Sequence, residues 1–213
     1  SAKEEYAFDI FTEMQLEMDL GKTKGTGQLF KTSLEKSLFS SPAACIKSIE
    51  ARLKKLYKKY TADDIKDIHL LENLKTALEA ITPADFTRYQ KLLALLKSKE
   101  YAWNPADSGD RVVIFTERIE TMKYLAERLR QDLGLKANAI QEISGGMSDA
   151  EQQRIVEDFG RTESSVRVLV ASDVASEGLN LHYLSHRLIH FDIPWSLMVF
   201  QQRNGRIDRY GQQ

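Results

Sequence analysis

The sequence predicts an α/β lobe, a parallel sheet flanked by helices, preceded by an all-α segment, with the two parts spanning 1–109 and 110–213. Three observations carry this expectation. Apolar residues recur at three- and four-residue spacing through the first half, the period of amphipathic helices. Short continuous apolar runs then appear at Val112-Val113-Ile114-Phe115, Val168-Leu169-Val170-Ala171 and Leu188-Ile189-His190-Phe191, as in strands covered on both faces. The cations change too: residues 1–110 hold 15 Lys, 2 Arg and 17 Asp+Glu, whereas 111–213 hold 2 Lys, 11 Arg and 14 Asp+Glu. Lysine suits solvated helix faces, while arginine offers a planar fork for phosphates and carboxylates, so chemistry is expected in the second half.

In the first half, Leu29, Phe30, Leu34 and Leu38, and again Leu71, Leu74, Leu78 and Ile81, mark apolar helix faces. Ser41 before Pro42 and Thr82 before Pro83 read as helix starts, because a hydroxyl caps free amides and proline fits the first helical position. Asp85, three residues after Thr82, strengthens the second. The expected helices span 4–20, 27–39, 42–60, 66–81 and 83–99, with breaks at Gly21 to Gly27 and Asn104 to Gly109. In the second half, helical patterns run from Ile119 to Leu133 and from Asp149 to Phe159. Ser148 with Glu151 opens the latter as a capping box. Strand alternating with helix implies βαβ units whose ligand-binding loops gather at the carboxyl ends of the strands.

Composition narrows the function classes. The chain has 213 residues, 42% apolar and 29% charged, with four prolines, which excludes collagen, a disordered tail and a small stapled scaffold. No apolar run approaches a bilayer span, and the first thirty residues lack a signal-peptide core. The lone Cys45 excludes an internal disulfide and a thiolate zinc site, which points to a reducing, cytoplasmic setting without membrane contact. A net charge of −1 supplies no global field for nucleic acid, so such binding must come from local patches.

Several motifs resolve toward plain structure. Gly21-Lys22-Thr23 resembles the end of a phosphate-binding loop, but the first glycine of that motif would fall on Leu16 and no strand precedes it. His182, His186 and His190 recur every four residues, yet the last lies in a strand run and no acidic or thiol ligand accompanies them at the usual metal-site spacing, so no metal site is assigned. Trp195 reads as packing beneath the helix that follows. The basic face Lys54-Lys55 with Lys58-Lys59 reads as solvated helix surface, with a nucleic-acid backbone contact as the alternative.

The most specific element is Gln202-Arg203-Asn204-Gly205-Arg206-Ile207-Asp208-Arg209-Tyr210-Gly211-Gln212. Arg206 and Arg209 are three apart, so one helical turn aims both guanidinium groups the same way. Alone, such a pair reads as surface ion pairing. Its context is Ala171-Ser172-Asp173-Val174-Ala175-Ser176-Glu177-Gly178-Leu179-Asn180-Leu181, about one βα unit upstream. Together these segments resemble motifs VI and V of superfamily-two helicases. Val112 to Thr116 resembles motif IV, and Ile143-Ser144-Gly145-Gly146-Met147 with Arg154 and Phe159 resembles the turn and helix after it. The ending Arg209-Tyr210-Gly211-Gln212 resembles that of Swi/Snf-type DNA translocases, and Glu177-Gly178-Leu179-Asn180 is similar to their bacterial RapA-like branch. Trp195-Ser196-Leu197 departs from the Trp-Asn-Pro of many members, and Ser172 stands where threonine is frequent.

The resemblance covers 111–213 and implies the second, C-terminal RecA-like lobe of a helicase-like ATPase, reaching weakly upstream through Leu38-Phe39-Ser40-Ser41-Pro42. It implies Arg206 and Arg209 as catalytic arginine fingers, Gln202, Gly178 and Asn180 on the ATP side, and Thr116, Ser144, Gly145 and Ser172 on the DNA side. ATP and Mg²⁺ would be held mainly by a first lobe of the same polypeptide. The expected partners are double-stranded DNA and that lobe, with RNA polymerase or restriction and defence components as further candidates. The chain reads as a fragment ending before its lobe closes, inactive as an ATPase alone. A strand-separating RNA or DNA helicase lobe and a non-catalytic RecA-like nucleic-acid-binding module are the alternatives.

Overall fold

A computed structural model of the chain describes residues 1–16, 24–58, 62–172, 187–194 and 196–204. The chain divides into two compact units, Ser1–Gln90 and Lys91–Gln213. The first is helical: α1 Ala2–Glu13, α2 Lys24–Ser40, α3 Pro42–Lys58 and α4 Ala62–Glu79, with α5 Thr87–Lys97 beginning at its end. Its core joins Phe11, Leu34, Cys45, Ile49, Leu53, Ile68, Leu71, Leu74 and Leu78. Each such aliphatic side chain contributes about 1.5–3 kcal/mol through the water it sheds.

Three local outcomes show how tertiary demand moves helix ends. The first helix stops at Glu13, short of the expected residue 20, because Met14 turns extended and both Met14 and Leu16 are buried in the core. Lys31 donates to the Met14 carbonyl that this turn leaves behind. The cap at Ser41 forms as expected, its Oγ accepting from the Ala44 amide at 3.1 Å. Thr82 and Pro83, by contrast, open only a turn. Asp85 Oδ2 accepts from the Thr82 amide at 2.9 Å and its hydroxyl at 2.6 Å, and the helix starts four residues later than Pro83, at Thr87. Glu4 decides that start, since its carboxylate accepts both the amide and the hydroxyl of Thr87.

The second unit carries a four-stranded sheet in the order β2-β3-β1-β4, where β1 is Val112–Thr116, β2 Ile140–Ile143, β3 Val168–Ser172 and β4 Arg187–His190. All pairings are parallel. The helices are α6 Ile119–Asp132, α7 Asp149–Gly160 and α8 Leu197–Asn204. Val113, Phe115, Leu169 and Ala171 pack with Phe159, Ile155 and Val156 of α7 on one face. Alternation sends Val112, Ile114, Val168 and Val170 to the other. Helix α6, with Met122, Leu125, Ala126 and Leu129 buried, lies against β1, β2 and β3. It ends at Asp132 with Leu133 as its cap, followed by Gly134 at φ +62, a left-handed position that suits glycine.

Strand β2 went unread in the sequence, for a physical reason. It is an edge strand among the described residues, with only Ile140 and Ile143 buried, and Gln141 and Glu142 break the apolar run. The capping box on α7 forms as expected: Ser148 Oγ accepts the Glu151 amide at 3.3 Å, and the Glu151 carboxylate accepts the Ser148 amide at 3.0 Å. Those bonds from Ser148 hold the Glu151 carboxyl below its ordinary pKa.

Candidate functional site at the carboxyl edge of the sheet

The two ends of the sheet differ in chemistry. At the amino end, Arg111, Arg167 and Arg187 sit beside or at the starts of β1, β3 and β4, and all three spend their guanidinium groups on the protein. Arg111 donates to the Ser108 and Arg161 carbonyls, and Arg167 to the Pro105, Ser164 and Val166 carbonyls. Arg187 reaches the Asp110 carboxylate at 2.6 Å and the Tyr101 carbonyl, tying the segment before β1 to the sheet. Part of the arginine enrichment of this half is therefore structural. Burial, with the nearby Arg167 charge, lowers the Arg111 pKa from its ordinary value.

The carboxyl end presents hydroxyls instead. Thr116, the last residue of β1, pairs in register with Ser172, the last of β3. Ile143 pairs with Ala171, so Ser144 follows at the same level beyond β2. Adjacent strands lie about 4.8 Å apart, so these three residues span roughly 10 Å of one edge. The sheet order also places a switch between β3 and β1. The connection after β1 leads across β3 to β2, whereas β4 lies on the far side of β1 from β3. In open α/β sheets ligands bind outside the carboxyl ends of the strands at such a switch point.

The three hydroxyls have different fates. The Thr116 hydroxyl is buried and donates to Asp192 Oδ2 at 2.7 Å. Ser144 starts a turn closed by the Met147 amide on its carbonyl at 3.1 Å; Gln152 of α7 also donates to that carbonyl and to the carbonyl of Met147. Gly145, half-exposed, lies within that turn. The Ser172 side chain is 1% exposed, and its Oγ has no hydrogen-bond partner among the described residues. An unpaired buried hydroxyl costs about 1–3 kcal/mol, so Ser172 holds acceptor and donor capacity that a ligand oxygen would satisfy.

Beside this row lies a network that the sequence reading missed. Asp192 follows β4, and its Oδ1 accepts the Glu117 amide at 2.7 Å while Oδ2 takes Thr116. Arg203 of α8 is 0% exposed, donates from Nη1 to the Asp192 carbonyl at 2.9 Å, and brings Nη2 to 3.8 Å from Asp192 Oδ1. Its guanidinium also lies over the Phe115 ring at 5.7 Å. Since Arg203 can only donate, its 3.3 Å contact makes His190 Nδ1 the acceptor, and His190 Nε2 then donates to Asn204 Oδ1 at 2.9 Å. His190 is thus a packed residue between Phe115 and Phe200. The available signal was an acid directly after an apolar strand run and an arginine eleven residues on.

Of the other expected site residues, Gln202 lies half-buried on α8. Arg206, Arg209, Gly178 and Asn180 lie outside the described residues, as do Trp195, His182, His186 and Lys59. Lys54 and Lys58 line a hollow on α3 shared with Glu50, Tyr57, Glu72 and Lys75, a mixed rather than uniformly basic surface. Among the described residues no cluster of three metal-binding side chains occurs, and no helix is long and apolar enough to cross a membrane.

Against known proteins, the helicase conserved C-terminal domain matches residues 88–211, more than half of the chain. The chain belongs to this family. Its helicase C-terminal domain is RapA-like in sequence. It is 33% identical over 104 residues to the RNA polymerase-associated protein RapA of Vibrio parahaemolyticus serotype O3:K6, covering 49% of this chain and 10% of that protein. The RapA of Vibrio campbellii is 34% identical over the same length. The matched part of the chain thus covers about a tenth of the length of these curated relatives. In fold, the C-terminal part of the Fun30 ATPase domain superposes at TM-score 0.58 with 15% identity, over 100% of this chain and 77% of that one. The Pyrococcus furiosus Hef helicase domain gives 0.50 with 21% identity, over 89% and 39%. The helicase C-terminal domain is therefore a RecA-like α/β lobe, as the sequence led one to expect.

Proposed function

We propose that this helicase C-terminal domain is the second lobe of an ATP-dependent double-stranded DNA translocase that remodels protein–DNA complexes. The observation that carries the reading is the edge formed by Ser144, Ser172 and Thr116 at the switch point, with the Ser172 hydroxyl buried and unpartnered among the described residues. The Ser172 hydroxyl would donate to a backbone phosphate oxygen, while Ser144, Gly145 and Thr116 hold the loops that follow the strand ends along one DNA strand. Such contacts position the protein without reading bases.

On the nucleotide side, the donor set fits a polyphosphate: two guanidinium groups at Arg206 and Arg209, amides at Gln202 and Asn180, and an unhindered backbone at Gly178. ATP with Mg²⁺, held mainly by a first lobe, supplies the transferable phosphoryl group. Arg206 and Arg209 neutralise charge on its oxygens from across the cleft, with Gln202 orienting them. The reading extends to a cytoplasmic setting and, by analogy with the RNA polymerase-associated relatives, to RNA polymerase as a partner.

The test uses the whole polypeptide that contains this chain. Arg209→Lys should lower DNA-stimulated ATP hydrolysis by about 10³-fold or more while leaving the melting temperature in place, the scale on which arginine fingers act. Unchanged turnover would refute the finger role. A translocase should displace a triplex-forming strand without separating duplex strands, and an unwinding signal would turn the reading to a helicase.

A further inference from the structure

We infer that Asp192 is a positioning residue through which the strand end facing the nucleic acid and the helix leading to Arg206 and Arg209 move as one body. The inference rests on the proposed translocase reading and adds to it the route by which bound DNA changes ATP turnover. The geometry is specific. One carboxylate holds the end of β1 with both oxygens, Oδ2 to the Thr116 hydroxyl and Oδ1 to the Glu117 amide, each at 2.7 Å. On its other side the same residue holds α8 through its carbonyl, which takes Arg203 Nη1 at 2.9 Å, and through the 3.8 Å approach of Arg203 Nη2 to Oδ1.

The residues joined in this way have separate destinations. Glu117 opens the connection after β1, on the edge assigned to DNA, while Arg203 lies three residues before Arg206. A fully buried guanidinium is an expensive way to fasten a helix, since well-packed apolar side chains often stabilise as well or better. What this fastening adds is geometry: the Arg203 Nη1 bond to the Asp192 carbonyl fixes direction as well as distance, and the carboxylate 3.8 Å from Nη2 adds charge attraction. His190 reinforces the joint, contacting Arg203 through Nδ1 and Asn204 through Nε2, so two consecutive residues of α8 are gripped from β4. A shift of the β1 end on DNA binding would displace the Asp192 carboxylate and α8 with it, through a contiguous network of packed polar groups. The result would be finger placement that depends on whether DNA is bound.

The experiment is a double-mutant cycle in the full-length polypeptide, with mixed-sequence linear duplex DNA as the probe and melting temperature measured for every variant. Asp192→Asn keeps the size but removes the charge, and should lower DNA-stimulated kcat by about tenfold or more while KM for ATP moves less than about threefold, because nucleotide contacts stay in place. Thr116→Val should lower stimulated kcat alone, yet add less than about twofold in the Asp192→Asn background, since both act through one carboxylate. Losses that multiply would overturn the inference and leave the translocase reading standing. A wild-type polypeptide with no duplex-stimulated turnover would overturn that reading and the inference together. Should Asp192→Asn fail to fold, Thr116→Val with Arg203→Lys completes an equivalent cycle, and multiplying losses there overturn the coupling as well.

Discussion

Thr116 and Ser172 are register partners at the carboxyl ends of adjacent parallel strands, yet one hydroxyl is bonded inside the protein and the other is not. Thr116 donates to Asp192, and Ser172 Oγ has no partner among the described residues. Two chemically similar residues, level with one another, should therefore respond in opposite ways to loss of the hydroxyl.

For Ser172→Ala, removal of an unsatisfied buried hydroxyl should leave unfolding free energy unchanged or raise it by up to about 1 kcal/mol. Thr116→Val should cost about 1–3 kcal/mol, because Asp192 Oδ2 loses its donor. Urea denaturation of the two variants measures both. The same Ser172→Ala change in the full-length polypeptide should weaken duplex DNA binding and flatten its salt dependence by roughly one phosphate contact, read from affinity against salt concentration.

The Asp192 and Arg203 pair predicts a larger effect. Asp192→Ala strands a guanidinium that is 0% exposed, and breaking a buried pair from one side costs about 3–5 kcal/mol. Replacing both partners with apolar residues of similar volume should recover part of that loss, the remainder being the Thr116 hydroxyl and Glu117 amide left without their acceptor. A chemical-denaturation series on the single and double variants checks it, and equal losses in both would mean that the stranded charge is not the cause.

Helix α7 begins with a reciprocal cap, so Ser148→Ala should lower stability by about 1 kcal/mol. The change should also speed amide exchange in the turn from Ser144 to Met147, which that helix holds through Gln152. Hydrogen exchange of those amides is the measurement.

Acid should loosen the helical unit at one identifiable place. Lys3 donates to Asp85, and with the bonds from Thr82 it pulls the Asp85 pKa down from 3.8 to about 2. A carboxyl depressed on folding stabilises above its unfolded value, and that contribution is lost as pH falls from about 4 through about 2. Carbon-detected NMR titration of Asp85 should give a midpoint near the lower value, and Lys3→Met should move it upward.

Periodicity and local chemistry were enough to determine much of this protein. Helices α2, α3, α6 and α7 and strands β1, β3 and β4 lie where residue spacing, Ser41 and the Ser148 cap put them, because their apolar faces are continuous and their ends are closed by neighbours in sequence. The family was likewise legible in the segments around Ser172 and Arg206. Only the tertiary structure decided the rest. The end of α1 at Glu13 and the start of α5 at Thr87 depend on burying Leu16 and on Glu4, 83 residues away from Thr87. Edge strand β2 exists because β3 pairs with it, in spite of a mixed sequence. The clamp at Asp192 unites residues separated by 76 and 11 positions, and the contrast between Thr116 and Ser172 follows from which of them meets that carboxylate. Hydrogen-bond partners of buried polar groups come from wherever the chain returns, and a one-dimensional pattern carries no record of that return.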